Sequence, residues 1–316
     1  MAVAFTFPGQ GSQAVGMGKD LADAFPEARR IFQEVDDALG ENLSKLIWEG
    51  PEETLTLTAN AQPALMAVSL AAIRALETRG FSLKDKIAYV AGHSLGEYSA
   101  LAAAGFVSVA DGARLLRIRG NAMQAAVPAG EGAMAAIIGL EQADVEATCV
   151  EAALGAGKGA VCQVANDNGG GQLVISGAKA AVELAAKLCT AKGAKRALML
   201  QVSAPFHSAL MTPAANVMRE ALAGVTTTAP IVPVVSNVSV QPSTDPDGIA
   251  GRLVEQVTGR VRWRETVEWF GANGVTTLYE IGAGKVLSGL ARRINRDIAT
   301  ASVGSAAEVE AAVAAL

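Results

Sequence analysis

The chain opens on an apolar run, residues 2 to 7, which Pro8 stops ahead of a glycine-rich turn; this is the pattern of a short buried strand. From 63 to 79, Leu65, Val68, Ala72 and Leu76 recur at i, i+3, i+7 and i+11, with Pro63 in the first turn and Gly80 just past the end. That spacing predicts an amphipathic helix with both terminators in place. A second apolar run, Ile87 to Ala91, predicts another strand, and it leads through Gly92-His93-Ser94-Leu95-Gly96 into an alanine-rich helical stretch, 97 to 104. Ser108, with Asp111 three residues on, resembles a capping box, so a helix is predicted from there through Arg114, Arg117 and Arg119.

The middle third changes character. Strands are predicted at 133 to 138, 160 to 165, 172 to 176 and 196 to 200, with helices at 141 to 154 and 178 to 191. This β-α-β-β-α-β order, with Asn168-Gly169-Gly170-Gly171 in the hairpin, is the split βαβ pattern of a ferredoxin-like unit. It marks 128–200 as a small inserted domain. Alternation then resumes with a helix at 209 to 222, a strand near Ile231 to Val235, helices around 248 to 257 and 264 to 272, a strand at 276 to 281 and a helix at 285 to 296. Residues 1–127 and 201–316 therefore make one discontinuous α/β domain, its sheet covered on both faces.

Composition narrows the function. With 316 residues, 51% of them hydrophobic, the chain is globular, and 26 Lys+Arg against 31 Asp+Glu give no electrostatic footprint for nucleic acid or an anionic membrane. The longest charge-free stretches, 197 to 218 and 221 to 244, are interrupted by prolines and polar residues and do not read as membrane spans. The N-terminus lacks the basic and long apolar regions of a signal peptide, which makes the cytoplasm the expected location. Cys149, Cys162 and Cys189 are odd in number and widely spaced, giving neither a disulfide framework nor a metal motif; they read as small core residues.

Gly92-His93-Ser94-Leu95-Gly96 fits the nucleophile elbow, in which glycines on either side of a serine let a strained strand-to-helix turn project its Oγ. The alternative is a plain turn with a capping serine; the strand before and helix after favour the elbow. An elbow also sets the Leu95 N–H near any oxyanion formed at Ser94. Only His93 and His207 could serve as base. His93 adjoins the serine in a tight turn, where neighbouring side chains diverge, so it reads as support, and His207, between a predicted strand and helix, is the candidate. Gly9-Gln10-Gly11-Ser12-Gln13-Ala14 imitates a dinucleotide fingerprint but lacks the compact βαβ context, so its N–H groups are expected to face Ser94 instead. Charge on a helix is usually a solvated face; the alternative, since Arg117 and Arg119 cannot share one face, is that one of them turns inward, where it needs an anionic partner.

Phe7-Pro8-Gly9-Gln10-Gly11-Ser12-Gln13, Gly92 to Tyr98, Arg119, Phe206 to Met211 and Glu280 to Lys285 together closely resemble the malonyl-CoA:acyl carrier protein transacylases of fatty acid synthesis. The likeness runs from the first strand to about residue 296. It implies an α/β-hydrolase-like large domain with an inserted ferredoxin-like small domain. It also implies Ser94 as nucleophile, His207 as base, and Gln256 orienting His207 through its backbone carbonyl, which accounts for the absence of an obvious triad acid. By the same resemblance the N–H groups of Gln10 and Leu95 form the oxyanion hole, Arg119 clamps the malonyl carboxylate, Asn166 lines the cleft, and the bulk of Phe206 crowds a methyl on the α-carbon. The chain departs from related malonyl-selecting polyketide acyltransferases at Ala204, where they carry a histidine.

The expected reaction is ping-pong transfer of malonyl from malonyl-CoA to the phosphopantetheine thiol of acyl carrier protein through a malonyl-serine, with no metal or other cofactor and with the chain a monomer. Three rivals remain: a discrete acyltransferase loading a polyketide synthase carrier protein, a serine esterase, which would ordinarily place an acid between serine and histidine in chain order, and a non-enzymatic binding module.

Overall fold

Apolar runs too short for helices and bounded by proline or glycine become the strands of this protein, whose computed structural model describes residues 2–316. In chain order they are β1 (Ala2–Phe7), β2 (Tyr89–Gly92), β3 (Gly132–Ile138), β4 (Cys162–Asp167), β5 (Gln172–Ala178), β6 (Arg196–Met199), β7 (Val234–Val235), β8 (Pro242–Ser243), β9 (Val275–Ile281) and β10 (Ala299–Val303). The larger sheet runs β10-β9-β1-β2-β7-β8 and is parallel except for β8. Helices cover both faces, which is why Phe5 and Phe7 of β1 are fully buried and why the run needed no alternation with polar residues. Phe7 registers with Gly92, so the loops that leave β1 and β2 emerge side by side at the carboxyl edge of the sheet, the usual place for a site in such a fold.

The second sheet runs β4-β5-β3-β6 with every pairing antiparallel, and its strands are separated by the helices Gln142–Ala156 and Lys179–Ala191. Alternation along β3 sends Ala133, Ala135 and Ile137 into a core shared with those helices. Met134, from the opposite face, joins Ala165 and Val174 in the core of the larger unit. Cys149, Cys162 and Cys189 are free thiols packed in the small sheet's core. Backbone stitches part of the seam between the units: Val261 N–H donates to the Ala165 carbonyl at 2.9 Å, and Asp167 N–H to the Val261 carbonyl at 2.9 Å. Asp167 also pairs with Arg264 at 2.8 Å.

Several boundaries differ from the sequence reading. The helix predicted from Pro63 starts at Thr58, with Pro63 inside it; a proline there forfeits one hydrogen bond, and burial of Thr58, Ala61 and Gln62 outweighs it. The strand near Ile231 contracts to Val234–Val235, since Pro230 and Pro233 have no N–H to donate and Ile231 is left exposed. The helix from 209 divides into a 3₁₀ turn, Ala209–Met211, and an α-helix, Thr212–Ala223. Strand β10 and the helix Ala306–Ala315 were not foreseen. Among the described residues no helix is long and apolar enough to cross a membrane.

Candidate active site

The turn after β2 places Ser94 in the left-handed region, φ 54°, before the helix Gly96–Ala103. Both flanking glycines are steric requirements. A Cβ at Gly92 meets the Gly96 carbonyl at 1.9 Å, and one at Gly96 meets the Phe7 carbonyl oxygen at 2.2 Å, so only glycine lets the helix start this close behind the strand. The Asn237 amide fastens the strained turn: its Oδ1 accepts from Ser94 N–H at 2.8 Å and its Nδ2 donates to the Gly92 carbonyl at 2.7 Å.

His207 also holds a positive φ, 55°, and its Nε2 lies 2.7 Å from Ser94 Oγ. Its Nδ1 is 2.8 Å from the backbone carbonyl of Gln256; a carbonyl can only accept, so the proton sits on Nδ1 and Nε2 is free to accept from the serine. Burial, followed by the Arg119 charge, lowers the His207 pKa to about 3, so the imidazole rests neutral. His93 turns away, with Nε2 2.9 Å from Asn168 Oδ1 in the small unit, and burial lowers its pKa as well.

Arg119 is the inward arginine, 1% exposed, while Arg117 reaches outward to Asn60 and Glu41. Arg119 donates through Nη1 to Gln62 Oε1 at 2.7 Å, and through Nη2 to Gln256 Oε1 at 2.9 Å and Ser94 Oγ at 3.2 Å. Its guanidinium carbon lies 5.6 Å from the centre of the Tyr98 ring. Both anchoring side chains are neutral amides. The nearest carboxylate in this network, Glu97, is 2% exposed and stands one side chain back, accepting from Gln256 Nε2 at 2.7 Å and Asn237 N–H at 3.2 Å.

These groups face a cleft of about 480 Å³ between the two sheets, lined also by Gln10, Leu95, Asn166 and Phe206. Among the described residues the N–H groups of Gln10 and Leu95 make no hydrogen bond within the chain, while Gln10 Oε1 accepts from Thr58 at 3.0 Å. Gln256 alone of the expected residues stands behind the cleft, fully buried. A polar floor bearing an activated hydroxyl and a cation with no carboxylate in contact, beneath Met134, Val174 and Leu200, suits covalent capture of a small anionic acyl group on an apolar arm.

The family model for the acyl transferase domain matches residues 4–309. The chain belongs to this family. The acyltransferase is 48% identical to the malonyl CoA-acyl carrier protein transacylase of Bacillus subtilis (strain 168), covering 98% of this chain and 96% of that one. Among solved structures it superposes on acyl-carrier-protein-S-malonyltransferase from Bartonella henselae with a TM-score of 0.97 and 64% identity, over 100% of this chain and 99% of that one. A type II PKS acyl-carrier protein in complex with its malonyl-transacylase gives a TM-score of 0.95 at 44% identity, with both chains fully covered. The resemblance read from the five motifs is thus borne out.

Sequence reasoning missed three residues. Gln62 falls just ahead of the helix predicted from 63 and carries no motif; Asn237 sits in a loop without a motif. Glu97 was within the quoted motif but had no assigned role.

Proposed function

We propose that this acyltransferase moves a malonyl group from malonyl-CoA to the phosphopantetheine thiol of an acyl carrier protein, by way of a malonyl ester on Ser94. The observation that carries the reading is a buried guanidinium, without a carboxylate of its own, 3.2 Å from the serine oxygen. A group held there by its carboxylate brings a neighbouring thioester carbon to the nucleophile. The names borne by the relatives from Bacillus subtilis and Bartonella henselae support the same substrate.

His207 Nε2 takes the Ser94 proton as Oγ attacks the thioester carbon, and the N–H groups of Gln10 and Leu95 receive the oxyanion. The C–S bond breaks and the proton passes from His207 to the CoA sulfur. The carrier thiol then gives its proton to His207, its sulfur attacks the ester carbon, and the C–O bond breaks as the proton returns to Ser94. A base with a pKa near 3 is weak, but the bound acyl carboxylate offsets the Arg119 charge that helps to depress it. Substrate binding thus strengthens the base. Phe206 and Asn166 shape the acyl end of the cleft. The chemistry as written asks for no metal or other cofactor.

We read residues 128–200 as the ferredoxin-like insert in an α/β-hydrolase-like domain made of 1–127 and 201–316. The four-strand order β4-β5-β3-β6 and the separate core under its two helices support that division. The reading has the chain acting as a cytoplasmic monomer that engages neither nucleic acid nor membrane. A polyketide carrier is a second acceptor, favoured by the likeness to the complexed malonyl-transacylase. An esterase is disfavoured because Nδ1 of His207 meets a carbonyl and no carboxylate. Intact-mass analysis after mixing with malonyl-CoA tests the proposal: a malonyl adduct on Ser94, discharged by holo carrier protein, is expected. No adduct, or discharge to free malonate without any thiol, defeats it.

A further inference from the structure

A chain of buried side chains runs behind the cleft, and every donor in it points away from Arg119. One arm passes from Nη1 to Gln62, from Gln62 Nε2 to Thr58 Oγ1 at 3.0 Å, and from Thr58 to Gln10 Oε1 at 3.0 Å. The other passes from Nη2 to Gln256 and ends on Glu97. Two amides and the Ser94 hydroxyl accept from the guanidinium, and the single carboxylate of the network is held one amide away. A carboxylate in direct contact would occupy the fork that a ligand carboxylate needs, whereas at this remove it offsets the buried charge without blocking it.

We propose that Glu97, acting through the Gln256 amide, is the resident counter-ion of Arg119 and opposes the incoming acyl carboxylate, so that it tunes the preference for carboxylated over uncharged acyl groups. The inference rests on the malonyl reading above. Two carboxylates sharing one guanidinium repel each other in a buried site, and only one of them is delivered by substrate. Glu97 is a positioning residue, since it touches neither substrate nor reacting atoms.

The groups around Glu97 isolate its titration. Burial raises its pKa to about 7, partly opposed by Gln256, Asn237, Arg119 and Arg252. Arg119 stays charged at neutral pH. Tyr98, from the same helix, is pushed up to about 12 by burial. His207, lowered to about 3, is neutral, and burial lowers His93 as well. Glu97 is therefore the carboxyl of this cluster that changes charge near neutral pH, gaining its negative charge as pH rises from 6 to 8.

The experiment compares kcat/KM for malonyl-CoA and acetyl-CoA with pantetheine as acceptor, at pH 6, 7 and 8, for the wild type and Glu97→Gln. Ionisation of the acceptor thiol affects both donors equally and cancels in the ratio. The malonyl-to-acetyl ratio of the wild type is expected to fall several-fold from pH 6 to pH 8, and that of Glu97→Gln, which keeps an acceptor oxygen for Gln256, to hold its pH 6 value throughout. A merely structural role moves both donors together and leaves the ratio unchanged. A flat wild-type ratio overturns the proposal even where the variant does not fold, as does a variant that follows the wild-type profile. A wild type that shows no preference for malonyl at any pH overturns the substrate reading instead.

Discussion

Replacing Gln256 by alanine separates two functions that one residue performs from different atoms. The backbone carbonyl that orients His207 survives the change, while the side chain that joins Arg119 to Glu97 is lost. Arg119 Nη2 gives up its acceptor at 2.9 Å and keeps only Ser94 Oγ at 3.2 Å. Glu97 gives up a donor at 2.7 Å and keeps the Asn237 N–H at 3.2 Å. The Ser94 carbonyl, which also loses a donor, still accepts from the Glu97 N–H at 3.0 Å. The cost thus falls on two buried charged groups at about 1.5–2.5 kcal/mol each, about 3–5 kcal/mol together. With an unfolding entropy of about 0.7 kcal/mol/K for a chain of 316 residues, Tm should drop by roughly 4–7 °C. Differential scanning calorimetry reads that shift, and the acyl-serine should still form, more slowly. A Tm within 1 °C of wild type would show that the side chain is not a structural member of the network; complete loss of the acyl-serine in a folded variant would show that its backbone and side-chain roles are inseparable.

Three further outcomes follow from the same geometry. Arg119→Ala should retain transfer of acetyl while the malonyl preference falls on the order of tenfold or more, measured as a ratio of kcat/KM; equal losses for both donors count against the carboxylate role. Gly96→Ala forces a Cβ to within 2.2 Å of the Phe7 carbonyl oxygen, so the elbow cannot close, and mass spectrometry should detect no acyl-serine. Because His207 is already neutral well below its ordinary range, the pH profile of kcat/KM should carry no acid limb near pH 6.5 that belongs to this imidazole, and Glu97→Gln should remove any limb near pH 7. An acid limb near pH 6.5 that persists in Glu97→Gln would refute the depressed histidine.

What could be read in advance follows from how local each constraint is. Gly92 announces the elbow because the clash it avoids, with Gly96, lies within five residues of chain; the clash Gly96 avoids lies on β1, at the Phe7 carbonyl, so Gly96 was legible only through its place in the motif. The small sheet is legible because alternation along β3 and β5 fixes which face meets its two helices. Arg119 was legible through its conflict with Arg117 on one helix. Gln62 and Asn237 were not, because an amide acquires its role only from partners far away in the chain: Asn237 serves the elbow from 143 residues downstream. The same holds for the Gln256 side chain, whose carbonyl alone was anticipated. The strand near Ile231 to Val235 was legible as an apolar run, but its length was not, because only Val234 and Val235 find partners on β2 and β8.

The stitch between Val261 and β4 is made of main-chain atoms of residues 165, 167 and 261, and the Asp167–Arg264 pair adds to the same seam, so the side chain at 166 takes no part in it. Asn166, between the two bonds, lines the cleft without serving the stitch, so a change of side chain there re-lines the roof and leaves both hydrogen bonds in place. Proline is excluded at 167 and at 261, because each of those positions supplies one of the two amide hydrogens of the stitch. Acyl specificity can therefore drift along β4 independently of the chemistry on the floor beneath it.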